Sequence, residues 1–369
     1  MVWRADLFGS LATSAVVPTT RLLGLTEGKS PTRRRNVAVR ALKTLAFDLP
    51  VTWFFVSWNH EYGHIMRANE AGIEVVLRRV GTPWTYPRFD LIALDYPSFT
   101  RGSMFDLGAE SGGLEAGWVL KDRLEDAARA RPLDAGEAMT AVWAGLDTTL
   151  YAHVNTPDDR FQQAVPSGDV ARYARQWIWD SRRYAGTTRG SQSEQVTRLR
   201  RRTLLNLADG ALLANMFGVL HDYVWHGRET VQTRTLTVRG VRIIPALRYS
   251  LTPIGPELAV RTTVRSGQTE WKAYYRSAET VTTEAATGFG VQHSRVVAGR
   301  FDSRLDLDFW RQPSSRRGSR QMATVSFQPW TTQRDRFVEV AVGRKSAGYL
   351  QGEPMKAGWQ LRSTVGFHW

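Results

Sequence analysis

The chain has 369 residues, is 42% hydrophobic and 23% charged, and so suits two or so folded domains, not a disordered or collagen-like chain. It contains no cysteine, which excludes disulfide frameworks, thiolate metal sites and cysteine nucleophiles, so any metal must be held by nitrogen and oxygen. The formal net charge of +14 comes from 43 Arg and 6 Lys, dispersed as solvated surface with no long basic run, and no nucleic-acid partner is expected.

Residues 1–35 form an N-terminal segment. Arg4 is followed by an apolar stretch from Leu7 to Val17, diluted by Gly9, Ser10, Thr13 and Ser14. This is a poor secretory signal, so the expectation is either a cytoplasmic protein or a start that is not the precursor start.

Residues 36–228 carry apolar residues at helical spacing. One helix is predicted from about Leu49 to Ala71, capped by Asp48, with Pro50 in its first turn and Gly72 beyond its end. Others are predicted from about Ala109 to Ala130, Ala135 to His153, Asp169 to Arg183 and Glu194 to Trp225. The stretch from Ile73 to Thr100, with three prolines, reads as a short hairpin or an ordered loop. Nothing reads as an ordinary transmembrane helix: Leu49 to Trp58 is far short of the ~20 residues a bilayer needs. The longer run from Leu204 to Leu220 is interrupted by Asn206, Asp209 and Asn215.

From residue 229 to 369 the period becomes two. Leu258, Val260, Thr262 and Val264 alternate with Ala259, Arg261, Thr263 and Arg265; Phe301, Ser303, Leu305 and Leu307 alternate with Asp302, Arg304, Asp306 and Asp308. About eight such segments are separated by turn-forming residues, which fits an antiparallel sandwich or a closed barrel. In the last segment Trp359, Leu361, Ser363, Val365, Phe367 and Trp369 share one face and Gln360, Arg362, Thr364, Gly366 and His368 the other. This ending resembles the carboxy-terminal strand of bacterial outer-membrane β-barrel proteins. The resemblance implies a barrel of about eight strands with a charged interior, outer-membrane lipid as partner, and the outer membrane as location.

The string that carries chemistry is Trp58-Asn59-His60-Glu61-Tyr62-Gly63-His64. On a helix, His60 and His64 lie one turn apart and present both imidazoles to one ion, Zn²⁺ above all; Glu61 can take a proton from water activated there. The motif resembles that of the zincin metallopeptidases. Extended through Gly72-Ile73, it also resembles the first motif of site-2-type intramembrane proteases, which take an Asp ligand from a downstream segment. Asn155-Thr156-Pro157-Asp158-Asp159 is a faint counterpart of that segment.

In gluzincin-like proteins a Glu on a second packed helix supplies the third ligand. Glu115 is the first candidate, because Gly112, Gly113, Ala116 and Gly117 around it would let its helix approach closely; Glu110 is the second and His153 the third. Tyr151 and His153 are the leading candidates for a transition-state donor, followed by His221, Tyr223 and His226. The expectation is therefore an α+β protein, a helical zincin-like domain followed by an antiparallel β-barrel, hydrolysing peptide or protein substrates with zinc. Its rivals are a non-catalytic outer-membrane protein with a structural metal site and a soluble metallopeptidase with a β-sandwich.

Overall fold

A computed structural model describes residues 5–25, 33–80, 92–95, 103–154, 168–232, 234–282, 284–297, 301–312, 317–327 and 336–367. The helices are α1 Ala5–Leu22, α2 Arg33–Lys43, α3 Leu49–Glu70, α4 Ser103–Ala130, α5 Ala135–Val154, α6 Asp169–Ala185, α7 Gln192–Thr203 and α8 Gly210–Gly218. Two short antiparallel pairs lie among them: β1 Val76–Val80 with β2 Ile92–Asp95, and β3 Leu133–Asp134 with β4 Thr230–Val231. The second half holds β5 Leu236–Val238, β6 Val241–Thr252, β7 Gly255–Ser266, β8 Thr269–Glu279, β9 Ala285–Val297, β10 Phe301–Arg311, β11 Gly318–Phe327, β12 Arg336–Lys345 and β13 Gly358–Phe367. The protein is thus α+β, as the change of period predicts.

The helix starts and stops have local causes. Pro50 occupies the first turn of α3, and Gly72, at φ 72°, turns the chain just beyond its cap Ala71. Asp48 does not cap α3. It is itself helical, at the end of a π-helical turn spanning Thr44–Asp48, and its carboxylate turns inward to Lys43 and to the Tyr223 hydroxyl (2.7 Å). The single helix expected from Glu194 to Trp225 is broken. After α7, a 3-10 turn Leu204–Ala208 leads to Asp209, whose side chain accepts from the Ala211 and Leu212 amides (2.8 and 3.1 Å) and starts α8 afresh. The two arms meet at 59°. No single described helix is long and apolar enough to cross a membrane.

The nine strands β5 to β13 form one sheet in sequence order, every neighbour antiparallel. The expected closed barrel of about eight strands is not what forms: the sheet is open, and the described residues show no pairing between β5 and β13. The reason lies at the β6 edge. β5 covers β6 only at Val241, Arg242 and Ile243; further along, helices take the edge instead. Asn206 accepts from the Tyr249 amide (2.6 Å) and donates to the Tyr249 carbonyl (3.0 Å), while the Tyr173 hydroxyl donates to the Thr252 carbonyl (2.8 Å). A strand edge satisfied by side chains offers nothing for a closing strand to pair with.

The two faces of the sheet are inverted relative to a protein in water. One register row runs Leu361, Val342, Ala323, Leu305, His293, Trp271, Val264, Ile243, Leu236 across all nine strands. Leu361 is 78% exposed and Trp359, two residues earlier on the same face, 77%. The opposite face packs charge against α4. Asp122 of α4 accepts from Arg261 (2.6 Å) and Arg248 (3.3 Å), Glu125 from Arg261, and Asp126 from Lys272 and Arg304. Charged positions of the alternating segments therefore face α4 across an open sheet, not the lumen of a barrel.

Candidate metal centre

The centre forms where α3, α4, α5 and α6 meet. His60 and His64 lie on α3, and both are buried. Their Nε2 atoms are 3.2 Å apart, and Asp169 Oδ2, at the start of α6, lies 2.9 Å from His60 Nε2 and 3.2 Å from His64 Nε2. His60, His64 and Asp169 are the group of described residues able to share one metal ion.

The other face of each imidazole decides what these three atoms are. His60 Nδ1 donates to Asp147 Oδ2 on α5 (2.8 Å), and His64 Nδ1 donates to the Ala109 carbonyl on α4 (2.6 Å). Both partners only accept, so both Nδ1 atoms carry hydrogen and, in the neutral rings, both Nε2 atoms present lone pairs. Three acceptors then converge with no donor among them, which requires a cation between them, a metal ion or protons. Ligands at 2.0–2.2 Å from a tetrahedral Zn²⁺ stand roughly 3.3 Å apart, close to the separations found here. The donor set fits the ion.

The electrostatics run the same way. Burial opposes charge on His60, but Asp147 and Asp169 outweigh it and lift its pKa well above the usual imidazole range. For His64 burial is likewise outweighed, chiefly by Asp169. Burial alone would raise the Asp169 carboxyl, yet His64, His60 and Arg172 hold it well below the usual carboxylate range. Arg172, one turn along α6, donates to Asp169 Oδ1 (2.5 Å) and to Glu110 Oε2 (2.9 Å), which leaves Asp169 Oδ2 for the ion. Glu61 follows His60 directly; burial raises its carboxyl and the two imidazoles pull it partly back.

Glycines on α3 and α4 make the convergence possible. A Cβ at Gly63 would stand 2.2 Å from the Gly112 carbonyl oxygen, and one at Gly113 would stand 2.3 Å from His60 Cδ2 and Nε2 and 2.5 Å from His64 Nε2. The close approach expected from the Gly-rich string is therefore present, but Glu115 is not what it delivers. Glu115 forms a bidentate pair with Arg67 of α3 (Nε to Oε2, 2.8 Å; Nη2 to Oε1, 2.5 Å) and accepts from the Gly352 amide (2.6 Å). With both oxygens engaged, the third position falls to Asp169. Glu110 is engaged by Arg172.

Tyr151 does reach the centre: its ring stacks on His60 with centroids 4.1 Å apart and planes 10° from parallel, one helical turn from Asp147. Burial pushes its hydroxyl well above the ordinary tyrosine range. His153 is exposed and donates through Nδ1 to the Thr149 carbonyl (2.8 Å). Tyr223 belongs to the Asp48 cluster, and His221 and His226 pack on one another with centroids 4.6 Å apart. Asn155 to Asp159 lie outside the described residues.

Asp169 and Asp147 are the two residues of the candidate centre that the sequence does not single out. In sequence, Asp169 stands out only as the start of the helix expected from Asp169 to Arg183. Asp147 carried a usable signal: a lone carboxylate in the apolar run Trp143-Ala144-Gly145-Leu146-Asp147, four residues from Tyr151 and so on the same helix face. Comparison of the chain with protein-family models, with curated proteins and with solved structures found no match in any of them.

Proposed function

We propose that this chain is a zinc-dependent hydrolase acting on peptide bonds, carried in the bacterial outer membrane by its nine-stranded sheet. The observation that supports the hydrolase reading is the convergence of His60 Nε2, His64 Nε2 and Asp169 Oδ2 on one point, with Glu61 adjacent in sequence to the first of them. When bound, the ion supplies Lewis acidity to a carbonyl and to an attacking water. The chain's residues do the rest. Asp147 and the Ala109 carbonyl hold the imidazoles in register, Arg172 holds Asp169, and Glu61 takes the proton from the water and returns it to the leaving amine. Peptide bonds are the substrate by resemblance of the His-Glu-x-x-His motif to the zincins. A set of two His and one Asp also matches the ligand chemistry of the site-2-type resemblance.

The outer-membrane reading is supported by the inverted sheet, apolar outside and ion-paired within, and by strands of 10 to 13 residues from β6 onward. Transmembrane strands need about 9–11 residues. A second reading, a metal that only stabilises the helical body, draws support from the burial of all three ligands.

The full chain purified in detergent without chelator should hold about one zinc per molecule. Glu61→Gln should keep the zinc and abolish cleavage of a quenched peptide library. Zinc with no Glu61-dependent cleavage would favour the structural reading, and no stoichiometric metal would end both. Recovery in the soluble fraction, monodisperse without detergent, would overturn the membrane reading alone.

A further inference from the structure

The broken helix between α7 and the sheet carries the same inversion as the sheet. Asn206, Asp209, Asn215 and Asp222 are each no more than 1% exposed, whereas Leu207, Leu213, Phe217, Leu220 and Trp225 are 47–61% exposed. A helix at a water-facing surface shows the reverse. Three of these inward groups, Asn206, Asp209 and Asp222, have partners inside. Asn206 seals the Tyr249 position of β6, Asp209 caps α8 and pairs with Lys121 (3.2 Å), and Asp222 accepts from Arg234 (2.8 Å) and the Gln232 amide (3.1 Å). The polar residues that break the apolar run in sequence therefore do not interrupt the outer surface.

Position joins this face to the sheet. Gly210 at the start of α8 lies against β6 so closely that a Cβ there would stand 2.5 Å from the Pro245 carbonyl oxygen. The segment thus occupies the edge that β5 leaves uncovered, beside the exposed Leu236 and Val238 of β5. We infer that residues 204–225 face the acyl chains of the bilayer, so that the lipid-facing surface is a hybrid in which a bent helix continues the belt of the open sheet. The inference rests on the reading that the apolar face of the sheet lies in lipid. The cover suits its place: a strand edge in lipid needs its backbone groups satisfied, and whatever satisfies the β6 edge must itself be apolar outside.

It also places the metal centre. Thr149 of α5 donates to the Thr203 carbonyl (2.8 Å) and accepts from Asn206 (3.3 Å), while Asp147 of the same helix meets His60. The centre lies one helix inward from the lipid-facing segment.

The cysteine-free chain permits single-site labelling of the whole chain. Leu213→Cys and Leu220→Cys report on the helix, Leu361→Cys on the sheet, and Thr197→Cys on an exposed polar site of α7. Each is labelled with an environment-sensitive fluorophore and reconstituted into phosphatidylethanolamine–phosphatidylglycerol vesicles, with circular dichroism confirming the fold. Mid-chain spin-labelled lipid should quench positions 213, 220 and 361 alike and spare 197, while aqueous iodide does the opposite. Quenching by lipid at 361 with iodide quenching at 213 and 220 would overturn the inference and leave the sheet in the membrane. Iodide quenching at 361 as well would overturn both.

Discussion

His60 donates through Nδ1 to Asp147 Oδ2 across 2.8 Å, and this bond decides which nitrogen of the ring faces Asp169. Without Asp147 the ring can rotate or take its other tautomer. Asp147→Ala should weaken zinc binding by about 10–100-fold, the usual cost of losing a carboxylate behind a metal-bound histidine. Asp147→Asn keeps an acceptor and should lose less. Competition against a chromogenic chelator measures both, and equal affinity in Asp147→Ala and wild type would show that the bond is incidental.

Asp169 and Glu115 separate by readout. Asp169→Ala removes a ligand and should strip the metal with little change in the apo fold. Glu115→Ala should leave the ligand set intact but take the bidentate partner from Arg67, which is 2% exposed and keeps Glu70 (2.7 Å) and the Glu353 carbonyl (3.1 Å), at a cost in stability below the ~3–5 kcal/mol of a fully uncompensated buried charge. Zinc content and a denaturant midpoint on each variant test the assignment. Zinc lost from Glu115→Ala while its midpoint holds would return the third position to Glu115.

The contrast between these two acids shows how far the sequence carries. The spacing of His60, Glu61 and His64, the change of period near residue 229 and the small residues of α4 all follow from local pattern, because helix faces and strand faces are properties of neighbours in the chain. The partner of Arg67 is not such a property. Glu115 and Glu110 were both taken by arginines that come from other helices, 48 and 62 residues away, and no spacing rule reports that. The closed barrel failed for a similar reason: the alternation fixes which residues share a face, while closure depends on what reaches the β6 edge, and Asn206 reaches it first. The polar breaks at Asn206, Asp209 and Asn215 count against a lipid-facing helix in sequence and for one in space, since the structure turns each of them inward.

A pH dependence independent of the metal arises at Asp134. Burial, reinforced by the Glu137 carboxylate and opposed by Arg131, raises its pKa from 3.8 to about 6. The folded state therefore binds this proton more tightly than the unfolded chain. The stability it contributes is full below about pH 4 and is lost as pH rises through about 6. Asp134→Asn should match wild type at pH 4 and exceed it above pH 7, the difference opening between those limits. Thermal midpoints across pH 4–8 in metal-free buffer measure it, and a constant offset would show that Asp134 titrates normally.

Gly113 offers the sharpest steric test of the centre. Its absent side chain leaves the space into which both imidazoles project, and a Cβ there would meet His60 Nε2 at 2.3 Å and His64 Nε2 at 2.5 Å. Neither ring can turn aside cheaply, because Asp147 and the Ala109 carbonyl hold their Nδ1 atoms from behind. In an ordinary helix Gly→Ala stabilises by about 1 kcal/mol. At position 113 that gain competes with displacement of the ligands, so Gly113→Ala should fold and fail to retain zinc. Gly108, on the same helix, is the control: the nearest atom to its Cβ would be Met355 Cε at 3.4 Å, an ordinary contact. Gly108→Ala should hold zinc as wild type does. Full zinc occupancy in Gly113→Ala would mean that the two imidazoles do not converge beneath α4, and the metal centre would have to be sought elsewhere.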